Sequence, residues 1–284
     1  MFALLGPNGA GKTTIVEILE GYRKRTAGTV EVLGTDPERG GRRFRERIGI
    51  VLQHSTTEPY LTVEEILRQR SCWYPHPIGV DEVIGLVGLE EKRTARLRTL
   101  SGGQVRRLDL ALGLIGDPDL IFLDEPTTGF DPSARRASWV IIRNLCSLGK
   151  TVLLTTHYMD EAQHLANRVA VIAGGRFVAE GTPDSLGGRN TAAVHVRFQL
   201  PEGVTVADLP PVPGAGAPVI DDGAVVIETV EPTRALAALT GWAVGRSLEL
   251  PGLTVTRPSL EDVYLELAGD PNAHMSDAPA PGAP

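Results

Sequence analysis

The chain has 284 residues and a net charge of −7, so it lacks the global positive field that attracts nucleic acid, and we expect no nucleic-acid partner. Its length suggests one large or two modest domains with a sizeable core. Its two cysteines, Cys72 and Cys146, have no metal-binding spacing, and no apolar run of about 18 residues predicts a transmembrane helix.

The first predicted elements are a buried strand at Phe2–Leu5 and a helix at Thr14–Leu19. The segment between them, Gly6–Thr13, fits the pattern G-x-x-x-x-G-K-[ST] of a phosphate-binding P-loop. Glycines let the backbone curl so that several N–H groups face one anion, and the start of the helix adds a positive dipole end. The strand–loop–helix order therefore predicts a site for a nucleoside triphosphate.

The residues of this loop predict separate roles toward the phosphates and a magnesium ion. Lys12 supplies a full positive charge for the β- and γ-phosphates, and the Thr13 hydroxyl suits Mg²⁺, which prefers hard oxygen ligands. Thr14 is placed to hydrogen-bond the α-phosphate. The predicted phosphate-binding residues of the loop are Asn8, Gly9, Ala10, Gly11, Lys12, Thr13 and Thr14.

The middle of the chain continues with elements of both kinds. The predicted strands here are Val30–Leu33 and Ile48–Leu52. The predicted helices are Val63–Gln69, Asp81–Val87 and Ser101–Leu114. Ser101 is a good N-cap, and Gly102 and Gly103 leave backbone N–H groups bare, which predicts a second anion site at this helix start. Taken alone, the same residues favour an ordinary capped helix.

An apolar strand at Leu120–Leu123 ends in two acids, Asp124 and Glu125. Strands of parallel sheets present their ligands at their carboxyl ends, so Asp124 is placed to hold Mg²⁺, through water. Glu125 is one residue further and points elsewhere, so it is placed to take a proton from an attacking water. An isolated acid pair is more often a polar turn, but the P-loop on the same chain favours the catalytic interpretation.

The remaining elements of this region alternate in the same way. The predicted helices are Pro132–Leu148, capped by Asp131 or Ser133, and Met159–Ala166. The predicted strands are Thr151–Thr155 and Arg168–Ala173, and a turn then leads into Arg176–Glu180. Alternation of strands and helices predicts an α/β domain with a largely parallel sheet.

The order of the P-loop, Gln53, Leu100–Gln104 (LSGGQ), the acid-ended strand and His157 resembles the nucleotide-binding subunit of an ABC transporter. The resemblance covers residues 1 to about 185 and implies a P-loop NTPase fold with a helical subdomain. It implies that Gln53 approaches Mg²⁺ and the attacking water and faces a transmembrane partner. It also implies that His157 contacts the γ-phosphate.

The resemblance further implies a head-to-tail dimer in which one copy completes the nucleotide site of the other. Ser101, Gly102, Gly103 and Gln104 would contact the γ-phosphate bound by the partner, and Asp131 corresponds to the loop that follows the acid pair. In the family, the region between Gln53 and Ser101 receives a helix of the membrane subunit. Its aromatic cluster, Trp73 and Tyr74, is either a docking surface or core.

Residues 191–269 contain strand-like segments that alternate as half-exposed strands do, and they predict a small α+β domain after a linker at Gly187–Asn190. Its predicted elements are Val194–Phe198, Ala224–Thr229, Pro232–Thr240, Leu253–Thr256 and Ser259–Ala268. Residues Arg257–Leu267 resemble the C-terminal extension of drug-export ATPases of the daunorubicin-resistance type. We therefore expect an ATP-binding domain over 1–187, this accessory domain, and a disordered tail over 270–284.

The family implies an N-terminal strand layer that carries an aromatic stacked on adenine. Here Met1 stands one residue before the first strand, so we expect that layer to be missing and nucleotide binding to be weakened.

Together these observations predict an ATPase that uses ATP and Mg²⁺ and drives export of a drug-like or lipid-like substrate through a separate permease. We expect a homodimer held on the cytoplasmic face of the membrane by that permease. The alternatives are a non-transport ABC ATPase, or a nucleotide-binding module whose catalysis is impaired by the missing N-terminus.

Overall fold

The computed structural model contains two compact units, Met1–Pro183 and Asp184–Pro284. Each unit has its own β-sheet. The described residues are 1–52, 58–188, 193–257, Leu260 and Tyr264. Among the helices in these ranges, none has the length and apolarity that crossing a bilayer requires.

The sheet of the first unit has six strands in the order β2-β3-β4-β1-β5-β6. The strands are β1 (Phe2–Leu5), β2 (Ile48–Val51), β3 (Leu120–Asp124), β4 (Thr151–Thr156), β5 (Arg168–Ala173) and β6 (Arg176–Gly181). The first five in that order run parallel, and β6 pairs antiparallel with β5. The predicted parallel α/β sheet is confirmed. Because β1 lies between β4 and β5, the loop that follows it opens at the centre of the carboxyl edge.

Within the described residues of this unit, seven helices accompany the sheet. They are α1 (Lys12–Leu19), α2 (Gly41–Glu46), α3 (Val63–Ser71), α4 (Val80–Leu86), α5 (Gly102–Leu114), α6 (Pro132–Ser147) and α7 (Met159–Leu165). Helices α3 and α4 pack on each other and on α5, which gives the helical subdomain implied by the resemblance. Asp131 caps α6 by accepting from the N–H groups of Ser133 and Ala134, which decides between the two predicted caps.

The predicted strand at Val30–Leu33 is wrong. Leu33 and Gly34 both have positive φ, at 51° and 75°, and an extended strand does not continue through such residues. Val32 instead pairs with Thr35 across this two-residue turn, as an isolated bridge. The turn leads toward α2, a short helix without a counterpart among the predicted elements, in which Phe44 is buried.

The second unit is a small α+β fold, as expected for the C-terminal region. Its antiparallel sheet has the order β10-β7-β9-β8. The elements are β7 (Val194–Phe198), β8 (Val219–Asp221), β9 (Ala224–Thr229), α8 (Pro232–Gly245) and β10 (Thr254–Thr256). Val196, Phe198 and Ile227 of the sheet pack with Leu239 of α8 in the core. Of the predicted helix Ser259–Ala268 only Leu260 and Tyr264 are described, and the predicted tail lies outside the described residues.

Candidate active site

The loop between β1 and α1 has a backbone that glycine makes possible. Gly9 and Gly11 adopt positive φ values of 82° and 100°, a region that costs other residues free energy. A Cβ at Gly6 would lie 2.6 Å from the carbonyl oxygen of Ile172 on β5, so the loop packs directly against the neighbouring strand. The predicted P-loop residues therefore form one continuous curl at the centre of the carboxyl edge.

The N-terminus of α1 is open toward this curl. Gly11 is its N-cap and makes no side-chain cap, so the first N–H groups of the helix remain available to an anion. Thr13 and Thr14 are exposed beside it. A row of N–H groups with two hydroxyls matches the acceptor oxygens of a polyphosphate, which is the ligand the sequence predicted.

Lys12 is buried in the loop, with a side-chain exposure of 6%. Its Nζ donates to the carbonyl oxygens of Gly6 (2.8 Å) and Pro7 (3.2 Å), and it lies 3.8 Å from Oε1 of Glu125. Burial lowers the pKa of Lys12, and the carboxylates of Glu125 and Asp124 oppose that change. The loop thus holds a desolvated ammonium group beside the acid pair, where it attracts an incoming anion strongly.

Asp124 ends β3 and Glu125 follows it directly, and the side chains of the two acids have different partners. Asp124 accepts a hydrogen bond from the hydroxyl of Thr155 on β4. Glu125 has a positive φ of 46°, and its N–H donates to the carbonyl of Thr155 at 3.1 Å. This left-handed conformation turns the side chain of Glu125 away from the strand direction. An outlier of this kind commonly marks a functional position.

The carboxylate of Glu125 lies between the loop and a second predicted residue, His157. Nδ1 of His157 is 3.2 Å from Oε1 of Glu125, at an angle that does not make a hydrogen bond. The other carboxylate oxygen accepts from the hydroxyl of Thr128 at 3.2 Å. The structure therefore brings Lys12, Glu125 and His157 together at the carboxyl edge of the sheet.

The second predicted anion site lies at the start of α5. Ser101 and Gln104 form a reciprocal capping box. A Cβ built on Gly102 or Gly103 would meet no atom within 4 Å, so the backbone of this turn is open to a ligand. Gln53 lies outside the described residues.

Comparison with known proteins supplies the family. A family model described as "ABC transporter" matches residues 1–128, and a model for an ABC transporter-like C-terminal domain matches residues 194–259. The Nod factor export ATP-binding protein I of Paraburkholderia xenovorans is 37% identical over 278 residues, covering 94% of this chain and 88% of that protein. The chain belongs to the ABC transporter ATP-binding family. It is an ATPase that binds ATP.

Other relatives of this ABC ATPase agree. The daunorubicin resistance ATP-binding protein DrrA3 of Streptomyces coeruleorubidus is 39% identical and covers 94% of this chain and 86% of that protein. An ATP-binding subunit of an ABC transporter matches 65% of this chain and 79% of its own, with 26% identity and a TM-score of 0.57. A dimeric post-hydrolysis cassette with ADP and phosphate bound matches 64% and 84%, with 25% identity and a TM-score of 0.56.

Arg106 is a site residue of this ABC ATPase that sequence reasoning missed. It is buried on α5, and its Nε donates to the carbonyl of Pro126 at 2.9 Å. Its Nη2 donates to the carbonyl of Asp124 at 3.1 Å, and its Nη1 to that of Leu52. One guanidinium group therefore fixes the backbone around the acid pair to the end of β2. The available signal was a basic residue among the apolar positions of α5, whose backbone partners are far away in sequence.

A groove of about 580 Å³ lies at the junction of the sheet and the helical subdomain in this ABC ATPase. Trp73 is 60% exposed there and Tyr22 is 73% exposed, so Trp73 belongs to a surface and not to the core. The lining residues are Glu20, Tyr22, Arg42, Arg45, Glu46, Ile48, Ile50, Leu52, Arg70, Trp73, Tyr74, Leu112 and Gly113. Exposed aromatic side chains in a concave surface are typical of protein interfaces.

Proposed function

We propose that this ABC ATPase drives export of a drug-like or lipid-like substrate through a separate membrane subunit. The proposal of ATP hydrolysis rests on the position of the Glu125 carboxylate, which lies 3.8 Å from Nζ of Lys12 and 3.2 Å from Nδ1 of His157. The proposal of export is supported by two relatives, one named as a Nod factor export ATP-binding protein and one as a daunorubicin resistance ATP-binding protein.

In the proposed mechanism the residues of the loop bind the triphosphate, and Lys12 neutralises the charge on its terminal phosphates. Glu125 accepts the proton of the attacking water, and His157 holds that water and the γ-phosphate in line. Phosphoryl transfer needs positioning and charge neutralisation more than covalent chemistry, which fits residues that only bind and orient. The carboxylate of Glu125 is already placed between Lys12 and the imidazole of His157.

Magnesium fits the donor set at this position. The hydroxyl of Thr13 and the carboxylate of Asp124 are hard oxygen donors, and the resemblance adds the amide of Gln53. Among the described residues no group of three or more His, Cys, Asp or Glu side chains forms a metal site. The ion would therefore complete its coordination with phosphate oxygens and water, where it would neutralise charge on the γ-phosphate.

We propose that two copies bind two ATP molecules head to tail. Each nucleotide would lie between Lys12 of one copy and Ser101, Gly102, Gly103 and Gln104 of the other, with Asp131 near the junction. The open helix start at Gly102 and Gly103 is a second anion site on a chain whose P-loop already serves one nucleotide. ATP then favours the closed dimer because its phosphates are bound on both sides only in that state.

The head-to-tail arrangement predicts complementation between two inactive variants. Lys12→Ala destroys one half of each site and Ser101→Arg blocks the other half, so each variant alone should lose ATPase activity. In a mixed dimer one of the two sites regains both intact halves. Random pairing of equal amounts should restore about a quarter of the wild-type activity, since about half of the dimers are mixed.

The measurement is phosphate release from the mixed variants. The matched control mixes Lys12→Ala with the double variant Lys12→Ala/Ser101→Arg, in which no dimer contains an intact site, and should show no recovery. Equal activity in the two mixtures would contradict the arrangement.

We propose that the groove receives a cytoplasmic helix of the membrane subunit, which would hold this ABC ATPase at the cytoplasmic face of the membrane. Trp73 is a large exposed aromatic of the groove, and the guanidinium of Arg70 lies 4.5 Å from its ring centre. An aromatic held in this way contributes large contact area at low entropic cost.

Trp73→Ala is expected to weaken binding to the membrane subunit about 30-fold, because buried interface tryptophans contribute about 2 kcal/mol or more. Basal ATPase activity of the isolated chain should stay within about twofold of wild type, since Trp73 is not in the nucleotide site. The matched control is Phe177→Ala, which removes a comparably exposed aromatic (63%) from β6. The measurement is co-purification and ATP-dependent uptake of daunorubicin into vesicles containing both subunits. Equal losses for the two variants would exclude the groove as the docking site.

A further inference from the structure

Glu161, in the first turn of α7, is fully buried although it carries a carboxyl group. Its Oε1 accepts a hydrogen bond from the hydroxyl of Thr127 at 2.8 Å and a second one from Nε1 of Trp139 at 3.2 Å. The hydroxyl of Thr156 also interacts with this carboxyl group. One buried carboxyl group therefore contacts three separate parts of the chain.

Two of these parts adjoin the proposed catalytic residues. Thr127 lies in the loop two residues after Glu125, and Thr156 immediately precedes His157. Thr127 and Thr156 are both fully buried, so neither segment moves without disturbing this contact. Trp139 lies on α6, the helix that begins directly after Asp131. The carboxyl group therefore joins the loop of Glu125 to the segment of His157.

The arrangement is costly for the fold. Burial raises the pKa of Glu161, and within the described part of the chain its Oε2 has no hydrogen-bond partner. A buried polar oxygen without a partner costs free energy that an apolar side chain of similar size would avoid. Packing alone does not account for an acid at this position, whereas a need to hold both segments does.

We propose that Glu161 is a positioning residue for ATP hydrolysis, which holds His157 against Glu125. The inference rests on the proposed roles of these two residues. Through Thr127 it fixes the loop that carries Glu125, and through its own helix and Thr156 it fixes His157. The 3.2 Å approach between Nδ1 of His157 and Oε1 of Glu125 is the geometry that it maintains.

The test compares Glu161→Gln, which keeps an acceptor oxygen, with Glu161→Leu, which removes it at similar volume. Glu161→Leu is expected to lower kcat about 10²-fold, because a misplacement of about 1 Å costs that much. KM for ATP should stay within about threefold, since Lys12 and its loop are untouched. Glu161→Gln should keep kcat within about threefold of wild type, because its amide oxygen accepts the same two hydrogen bonds.

A purely stabilising role for Glu161 predicts a different result. Leu145→Ala, in the core at the far end of α6, gives a destabilised control with an unaltered carboxyl contact. Its Tm should fall at least as far as that of Glu161→Leu while its kcat, measured well below both Tm values, stays near wild type. An equal loss of kcat in Leu145→Ala would overturn the inference.

A double-mutant cycle with His157→Ala separates this inference from the proposed function. If Glu161 acts by holding His157 against Glu125, the loss in the double variant Glu161→Leu/His157→Ala should be clearly smaller than the product of the two single losses. Multiplicative losses would overturn the inference and leave the role of His157 in place. Wild-type turnover in His157→Ala would overturn the role of His157 and this inference together.

Discussion

Replacing Glu125 by glutamine is expected to lower ATP turnover about 10²–10⁴-fold while ATP stays bound and the dimer stays closed. The amide keeps the size of the side chain and its hydrogen bond with Thr128, but it does not accept a proton from water. Lys12 and its loop remain intact, so affinity for the triphosphate is preserved. The loss therefore falls on kcat and not on binding.

The loss is measured as phosphate release under saturating Mg-ATP, and the closed dimer by size-exclusion chromatography in the same buffer. Glu180→Gln is the matched control, because it makes the same chemical change on the exposed strand β6, where Glu180 pairs with Arg168. That control should hydrolyse ATP at the wild-type rate. Unaltered hydrolysis in Glu125→Gln would remove Glu125 from the role of base. A variant that stays monomeric would contradict the two-site dimer.

The sequence predicts most of the first unit because its signals are local. A fully apolar run such as Leu120–Leu123 has few alternatives to a buried parallel strand, and the capping residues Ser101 and Asp131 mark the helix starts. The strand predicted at Val30–Leu33 failed for an equally local reason. Its β-branched and apolar residues favour a strand, but the left-handed turn at Leu33 and Gly34 ends it after one bridge.

The residues of the candidate site differ in how far the sequence predicts them. The P-loop and the acid pair are predictable because motif and chemistry coincide over a few consecutive residues. His157 carries little information alone and was placed through resemblance to the family. Arg106 and Glu161 were missed because their importance depends on hydrogen-bond partners as far as 54 and 34 residues away, respectively. Contacts of that separation are set by tertiary packing and leave no fixed spacing.

Glu20, at the end of α1, gives the second large prediction, and it concerns stability. The residue lines the groove and is 5% exposed, and among the described residues its carboxyl group has no hydrogen bond or ion pair. Burial, with smaller contributions from the charges of Asp124 and Glu17, raises the pKa of Glu20 to about 8. An ordinary glutamate has a pKa of 4.5. The folded state therefore holds a proton that the unfolded state releases at neutral pH.

The sign of the effect follows from linkage. Below pH 4.5 both states are protonated at Glu20 and its ionisation costs nothing. Between 4.5 and about 8 the unfolded state binds fewer protons, so the free energy of unfolding falls as pH rises, by up to about 1.4 kcal/mol per unit. Above about 8 the full penalty is present. Glutamine at this position resembles the protonated acid and removes the penalty.

Glu20→Gln is therefore expected to raise the free energy of unfolding by about 2–4 kcal/mol at pH 8 and by under about 1 kcal/mol at pH 5. The corresponding rise in Tm of the first unit at pH 8 is at least about 4 °C. Glu17→Gln on the same helix is the matched control, since Glu17 is more exposed and pairs with Arg23. It should show only the small pH-dependent gain that comes from removing its charge near Glu20. The measurement is thermal denaturation at the two pH values.

An equal change in stability at both pH values, or no change at either, would contradict an unpaired acid in the groove. A pH-dependent gain accompanied by loss of binding to the membrane subunit would identify Glu20 as a residue retained for docking at the expense of stability.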